Sequence, residues 1–266
     1  MAFASPMKIY AGTYDDITDA AVIVITAGAN QKPDETRLDL IRKNSAIMKS
    51  IVGEIKKREF HGILLIVSNP VDILTYIALK ESGYPANRVI GSGTVLDTGR
   101  FRYELGEHLG VDSRSVHAYI IGEHGDSELA AWSDARIGGL PIHDFCELRG
   151  HYDHDASMDR IFNNVRNSAY EIISRKHATY YGIAMAVCRI CSAIVRDERS
   201  IMPVSSLMTG EYGIQDVVLS IPSVVDGELY LATARSILQL QQKLEKELDA
   251  LRNSANVLKK IIQENS

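Results

Sequence analysis

The stretch that decides the fold is AAVIVITAG at Ala20–Gly28, a continuous run of β-branched and small apolar residues. Such a run is typical of a strand that is covered on both faces. Apolar residues then recur at helical spacing from about Thr36 to Arg58, and a second apolar run, GILLIV, follows at Gly62–Val67. Strand, helix and strand in this order predict a parallel βαβ unit.

The pattern continues on both sides of this unit. An amphipathic helix through Tyr76 and a third strand at Arg88–Gly91 follow it, and Lys8–Gly12 is a strand candidate before it. The fold class is therefore α/β, with a doubly wound parallel sheet. Ligands bind at the carboxyl ends of the strands in such sheets, and residues 27–30 and 67–69 fall there.

The regular alternation of apolar strands and helices ends at about residue 105. Short strand candidates at Val116–Ile121 precede several helices and a polar loop rich in His and Asp at His151–Asp155, which we interpret as solvated. We expect two domains, the first at 1–92 and an α+β domain at 93–266. The tail from about Ala232 to Glu264 is predicted to be a charged helix that packs one face on the body or on a sister subunit.

Composition narrows the classes of function. The 266 residues carry a net charge of −5, which gives no basic surface for nucleic acid or an anionic membrane. The three cysteines, Cys146, Cys188 and Cys191, are too few for a disulfide framework and suit the cytoplasm. The pair Cys188 and Cys191 lies in a helical pattern, and we expect buried small hydrophobic residues there rather than a metal site. No metal is predicted.

A candidate acid–base group stands in GEHGD at Gly122–Asp126. His124 lies between two glycines and two carboxylates, and carboxylates nearby favour the charged imidazole. Upstream, Asp97 could orient that ring, and Arg100 could bind an anionic substrate through two parallel hydrogen bonds. Each of these residues alone is more often structural, but their combination indicates a site.

Five motifs occur in order along the chain: GANQKPDETR from Gly28, SNPVD from Ser68, LDTGRFR from Leu96, GEHGD from Gly122 and ATYYG from Ala178. Together they closely resemble the bacterial L-lactate dehydrogenases of the lactate/malate dehydrogenase family. The resemblance extends over essentially all of the chain.

The resemblance implies catalytic roles for three residues. His124 matches the histidine that protonates the carbonyl oxygen of a 2-keto acid as hydride arrives from NADH, and Asp97 matches its carboxylate partner. Arg37 matches an arginine that polarises the carbonyl when its loop closes. These roles agree with the chemistry, because hydride delivery builds negative charge on that oxygen.

The resemblance also implies how pyruvate or L-lactate is bound. Arg100 matches the arginine that pairs with the substrate carboxylate, Asn69 would hydrogen-bond near the carbonyl, and Thr179 would line the pocket. Arg37 is also expected to contact the substrate. Gln31 stands where malate enzymes carry arginine. Because a neutral amide cannot balance a second buried carboxylate, Gln31 favours pyruvate over oxaloacetate.

Cofactor and effector sites follow from the same resemblance. NAD would be contacted by Tyr14, Gly28, Ala29, Ser50, Val67, Ser68 and Asn69. Arg102 and His117 match a pair that binds fructose 1,6-bisphosphate across a subunit interface in allosteric members, which implies a homotetramer. The alternative is that Arg102 forms an ion pair with Glu104 or Glu107 and that His117 is an ordinary strand residue.

The family's first strand–turn–helix unit, with its G-x-G-x-x-G turn, has no counterpart in this sequence. We therefore expect an incomplete doubly wound (Rossmann-type) sheet, in which Lys8–Gly12 loses its neighbour and Val22–Ile25 becomes an exposed edge. NAD binding by the chain should then be weak. The resemblance thus implies a partial dinucleotide-binding domain at 1–92, without its first strand–helix–strand unit, and a substrate domain at 93–266. The expected function is an L-lactate dehydrogenase of pyruvate fermentation and glycolysis, as the truncated form of a longer enzyme. The alternatives are a catalytically silent fragment that assembles with intact subunits, or an activity like that of malate dehydrogenase.

Overall fold

The computed structural model describes residues 6–29, 36–227 and 245–265. The helices of these segments are α1 Arg37–Lys56, α2 Val71–Ser82, α3 Val95–Leu109, α4 Ile142–Leu148, α5 His154–Lys176, α6 Tyr181–Val195 and α7 Glu245–Asn265. The strands are β1 Val22–Ile25, β2 Ile63–Ile66, β3 Val89–Gly91, β4 Val116–His117, β5 Ile120–Ile121, β6 Leu129–Ala130, β7 Arg136–Ile137, β8 Leu140–Pro141, β9 Ser200–Thr209 and β10 Gln215–Val225.

The central sheet has the order β1-β2-β3-β9-β10. Strands β1, β2 and β3 are parallel, which confirms the predicted βαβ units. The long strands β9 and β10 pair with each other in antiparallel fashion, and Gly91 of β3 pairs with Ser205 of β9. The sheet is therefore mixed, and two of its strands come from the second half of the chain.

Strand β2 shows why the apolar runs form a buried sheet. Leu64 and Ile66 pack toward the core under α1 and α2, whereas Ile63 and Leu65 pack toward α6 on the opposite face. All four side chains are at most 6% exposed. Helix α1 begins where Thr36 caps it in a reciprocal capping box with Asp39.

Strand β1 lies at the edge of the sheet, as expected, and pairs only with β2 within the described segments. Val24 on this strand is 36% exposed. The prediction of a strand at Lys8–Gly12 is wrong, because these residues are exposed and form no strand. Among the described residues no strand lies beyond β1 for them to pair with, and an isolated strand has no partner for its backbone groups.

The remaining elements build a second core. Helices α3, α4 and α5 enclose an apolar cluster with the short strands β4 to β7, centred on Phe101, Leu105 and Ile161. Helix α7 packs on β10 through Leu251 and Leu258, which confirms the C-terminal helix over its described length. The other residues of the predicted tail helix, 232–244, lie outside the described residues. The helices described here include none with the length and apolar character to cross a bilayer.

Two smaller expectations are corrected. The pair of cysteines lies on α6 as predicted, but Cys188 is exposed and Cys191 is only partly buried against the core, because this part of α6 turns one side away from the sheet. The polar stretch at His151–Asp155 is a loop only as far as Asp153, because α5 begins at His154.

Candidate active site

Three elements place His124 beside Asp97. Gly122, directly after β5, forms a two-way backbone bridge with Ser220 of β10 at 2.9 Å in each direction. Its φ of +94° is accessible to glycine, and the chain turns there toward α3. Asp97 lies in the first turn of α3, and its Oδ2 is 2.6 Å from Nδ1 of His124. The predicted acid–base pair is therefore formed.

The environment of His124 keeps its ring charged. Burial by itself lowers the pKa of His124, but the Asp97 carboxylate, by charge and by hydrogen bond, outweighs it and raises the pKa to about 9. Because Nδ1 is engaged by Asp97, Nε2 is the nitrogen left to donate a proton. At neutral pH the pair thus holds a proton ready for transfer.

The backbone of His124 is fixed separately by Asp72. Oδ2 of this carboxylate accepts from the His124 N–H at 2.8 Å, and Oδ1 accepts from the Ser205 hydroxyl at 2.5 Å. Asp72 is 2% exposed, and burial raises its pKa to about 6 although the hydrogen bond from Ser205 opposes the shift. This carboxylate connects α2, the loop of residues 122–126, here named the catalytic loop, and β9.

Glu128 is a second buried carboxyl beside the pair. Burial, and next the Asp97 carboxylate, raise its pKa to about 8, so that it is largely neutral at pH 7. Its Oε1 has no hydrogen-bond partner among the described residues. Ligand atoms of Asp97, His124 and Glu128 lie within 4.8 Å of one another, a spacing that could hold a cation. The absence of a metal stays a prediction.

The C-terminal helix also holds the catalytic loop. The hydroxyl of Ser254 on α7 accepts from the backbone N–H of Glu123 at 2.9 Å and lies 3.0 Å from the Ser127 hydroxyl. Ser127 in turn donates to the Glu123 carboxylate. On the other side, the Tyr170 hydroxyl of α5 donates to Asp126 at 2.6 Å.

Arg100 lies one turn after Asp97 on α3. Its guanidinium is 3.4 Å from the other oxygen of Asp97, and its side chain is 19% exposed, so that it can reach a substrate. A cavity of about 640 Å³ opens beside it between α3, α5 and α6. Thr179 lies in an exposed loop just before α6, and Gly182 at the start of that helix packs against Leu96. The structure therefore brings the Thr179 loop to the start of α3.

The carboxyl ends of β1 and β2 lie side by side, as predicted for the cofactor site. The Ser68 hydroxyl donates to the carbonyl of Ala27 at 2.6 Å. Gly28 and Asn69 are exposed, and Ala29 is half-buried. A dinucleotide could contact these residues from outside the sheet, and their small or polar character fits that role.

The other predicted cofactor residues are arranged around this edge. Tyr14 lies at a cavity of about 200 Å³ that β1 and α1 also line. Ser50 is exposed on α1, and Val67 is half-buried after β2. Their positions suit an extended ligand across β1, but their contacts with NAD stay predictions.

The predicted effector residues adjoin each other. Nε of Arg102 donates to the carbonyl of Ala118 at 2.9 Å, directly after His117, and its guanidinium stacks 4.8 Å from the Tyr119 ring. His117 is exposed on β4. Neither of the alternative ion pairs with Glu104 or Glu107 is formed in the described structure.

Two predicted site residues are not placed. Gln31 lies outside the described residues, and of Arg37 only the backbone, the first residue of α1, is described. Their roles stay predictions.

Sequence reasoning missed several residues that hold the site. Asp72, Glu128, Ser205 and Ser254 received no role, and neither did Asn44. Asp72 stood in the quoted SNPVD motif, where a charged residue at the start of an otherwise apolar helix was a usable signal. Ser205 and Ser254 lie 133 and 131 residues from their partners, a separation that no local pattern reveals.

Comparison with known proteins agrees with this geometry. Residues 1–91 match the model for the NAD binding domain of lactate/malate dehydrogenase, and residues 94–266 match the model for its alpha/beta C-terminal domain. An L-lactate dehydrogenase of Acetivibrio thermocellus is 51% identical over 99% of this chain and 81% of its own length. One of Bacillus licheniformis is 50% identical over 98% of this chain and 81% of its own.

Solved structures give the same result. MGS-M5, a lactate dehydrogenase from a Medee basin deep-sea metagenome library, superposes with a TM-score of 0.93 at 47% identity, covering 99% of this chain and 83% of its own. The minor L-lactate dehydrogenase of Enterococcus mundtii, in its ligand-bound form, superposes with a TM-score of 0.88 at 45% identity. The superposition covers 96% of this chain and 79% of the other. On the sequence motifs, the His124–Asp97 pair and these matches together, the chain belongs to the lactate/malate dehydrogenase family.

Proposed function

We propose that the protein interconverts pyruvate and L-lactate with NAD as the hydride carrier. The observation that carries this proposal is the 2.6 Å contact between His124 and Asp97 beside Arg100. An acid–base group and a guanidinium are what the reduction of a 2-keto acid requires. Relatives about half identical to this chain are L-lactate dehydrogenases, which supports the same reaction.

In the proposed mechanism, Arg100 binds the substrate carboxylate and Asn69 the region of the carbonyl. NADH, when bound, supplies the hydride to the carbonyl carbon. His124 donates its Nε2 proton to the carbonyl oxygen, and Asp97 stabilises the ring in its charged form until that transfer. Arg37 polarises the carbonyl when the preceding loop closes, and Thr179 lines the pocket.

A turnover assay distinguishes the proposed dehydrogenase activity from the alternative hypothesis, in which the chain is a catalytically silent fragment. Oxidation of NADH that depends on pyruvate, followed by absorbance at NADH concentrations high enough to offset the weak binding expected from the sequence, is expected from the purified chain. A protein that binds pyruvate and NADH together without turnover, or that binds neither, would support the alternative of a fragment that only assembles with intact subunits.

Replacing Gln31 by arginine is expected to shift the ratio of kcat/KM from pyruvate toward oxaloacetate by about tenfold or more. The new guanidinium would pair with the second carboxylate, and a hydrogen bond to a charged group contributes about 1.5–3 kcal/mol. Gln31→Leu, which removes the amide without adding charge, is the matched control and should gain no oxaloacetate activity. An unchanged ratio in Gln31→Arg would contradict the assignment of Gln31 to substrate selection.

We also propose fructose 1,6-bisphosphate as an activator that binds Arg102 and His117 of a homotetramer. The hydrogen bond from Arg102 to the carbonyl of Ala118, the residue directly after His117, supports the proposal. Activation of about 5- to 150-fold, the range typical of coupling between sites, is expected.

The effector site is tested by Arg102→Gln and His117→Ala, which should lose activation while basal turnover remains. Arg114→Gln is the control, because Arg114 is exposed and pairs with Asp112. Activation that survives both site substitutions would place the effector elsewhere. We assign the reaction to glycolytic fermentation in the cytoplasm, and the free state of all three cysteines suits a reducing compartment.

A further inference from the structure

Asn44 on α1 joins the turns that follow β1 and β2. Its Oδ1 accepts from the N–H of Ala29 at 2.7 Å, and its Nδ2 donates to the carbonyl of Asn69 at 2.9 Å. A longer contact of 3.4 Å joins Nδ2 to the carbonyl of Ala29. The residue is 3% exposed. The buried amide of Asn44 thus bonds through its oxygen to the turn at Ala29 and through its nitrogen to the turn at Asn69.

These bonds extend the link between the two strands past the end of the sheet. The ladder of β1 and β2 ends at the pair Ile25 and Ile66. Beyond it, Ser68 still bonds to Ile25 and Ala27. Further out, Asn44 fixes the separation of Ala29 and Asn69 by binding both.

The two turns carry residues that are assigned above to the cofactor and to the substrate. Ala29 belongs to the cofactor side, and Asn69 belongs to both the cofactor and the substrate. Since hydride transfer requires the donor and acceptor carbons at close range, the separation of these turns bears directly on the rate. A misplacement of about 1 Å costs on the order of 100-fold.

We propose that Asn44 is a positioning residue that sets the geometry of hydride transfer by holding Ala29 and Asn69 at a fixed separation. The inference rests on the proposed function. Asn44 also lies about two turns after Arg37 on α1. Helix α1 therefore carries the backbone of Arg37 and also holds the two turns at Ala29 and Asn69.

The test uses two substitutions in the full chain. Asn44→Leu removes both hydrogen bonds and keeps the number of side-chain heavy atoms and their branching. Asn44→Asp keeps the acceptor for Ala29 but places a carboxylate against the Asn69 carbonyl. We expect kcat to fall about 10- to 100-fold in both variants. We expect KM for pyruvate to change less than threefold, and the isotope effect with deuterated NADH to rise as hydride transfer becomes limiting.

Ser45→Ala is the matched control. Ser45 is the next residue on α1, is also buried, and bonds only to the carbonyl of Ile41 in its own helix among the contacts described. It should unfold at a lower temperature without changing kcat or the isotope effect. If the Asn44 variants lose thermal stability but keep the wild-type kcat and isotope effect, the residue is structural and the inference is wrong.

The same experiment separates the inference from the function on which it depends. Wild-type protein that oxidises NADH with pyruvate while Asn44→Leu does so equally fast overturns the positioning role alone. Wild-type protein without pyruvate-dependent oxidation overturns the proposed function, and the positioning role with it. Should Asn44→Leu fail to fold, Asn44→Asp gives the same readouts.

Discussion

Replacing His124 by alanine is expected to lower kcat for pyruvate reduction by about two to four orders of magnitude, which is the range that a positioned acid contributes. The substitution removes the proton that neutralises the developing oxyanion. The backbone N–H of residue 124 would still donate to Asp72, so the loop should keep its path. Binding of NADH should be nearly unchanged. Steady-state kinetics and titration of NADH fluorescence measure the two effects.

His61→Ala provides the control for this prediction. His61 is exposed just before β2 and is not among the side chains that contact Asp97. Its loss should leave kcat within about twofold of the wild-type value, as is usual for a surface substitution. A His124→Ala protein with wild-type turnover would show that another group protonates the substrate.

Asp97→Asn is expected to move the alkaline limit of pyruvate reduction to lower pH by about 1–3 units. Burial lowers the pKa of His124, and the Asp97 carboxylate is the largest of the charges that raise it to about 9. Without that charge the ring loses its proton at lower pH. A histidine of pKa about 6.5 is roughly 10% protonated at pH 7.5, so kcat/KM there should fall about tenfold for this reason alone.

The measurement is the pH profile of kcat/KM in both directions of the reaction. Lactate oxidation requires the neutral ring as a base, so its acidic limit should move to lower pH together with the limit for reduction. Asp112→Asn, which alters an exposed carboxylate paired with Arg114, should leave both limits in place. Limits that stay at the wild-type pH in Asp97→Asn would remove Asp97 from the control of His124.

The parallel part of the fold could be predicted because it depends on local pattern. The runs at Ala20–Gly28 and Gly62–Val67 are almost entirely apolar and rich in β-branched residues, which is typical of strands in a parallel sheet. The prediction of a strand at Lys8–Gly12 was wrong because a strand needs a neighbouring strand to pair with. Local strand propensity does not show whether such a neighbour exists. The prediction that Cys188 is buried was wrong because a helical pattern alone does not show which face of α6 packs on the sheet.

Part of the site was equally predictable. His124 and Asp97 stand in distinctive motifs, so their pairing followed from the resemblance. The supports of the pair did not follow, because Asp72, Glu128 and Ser254 are polar residues within otherwise ordinary segments. Their roles arise from contacts between elements far apart in sequence, such as Ser205 with Asp72, and from burial that raises the pKa of each carboxyl.

The shared central sheet limits how the molecule can move. Residues of the second matched region form β9 and β10, which complete the sheet begun by β1 to β3. The boundary predicted near residue 92 is therefore a division of the sequence that the hydrogen-bonded sheet crosses at Gly91 and Ser205. A hinge there would break the sheet, so we expect the two regions to melt in one cooperative transition, and motion during turnover to be confined to loops at the rim.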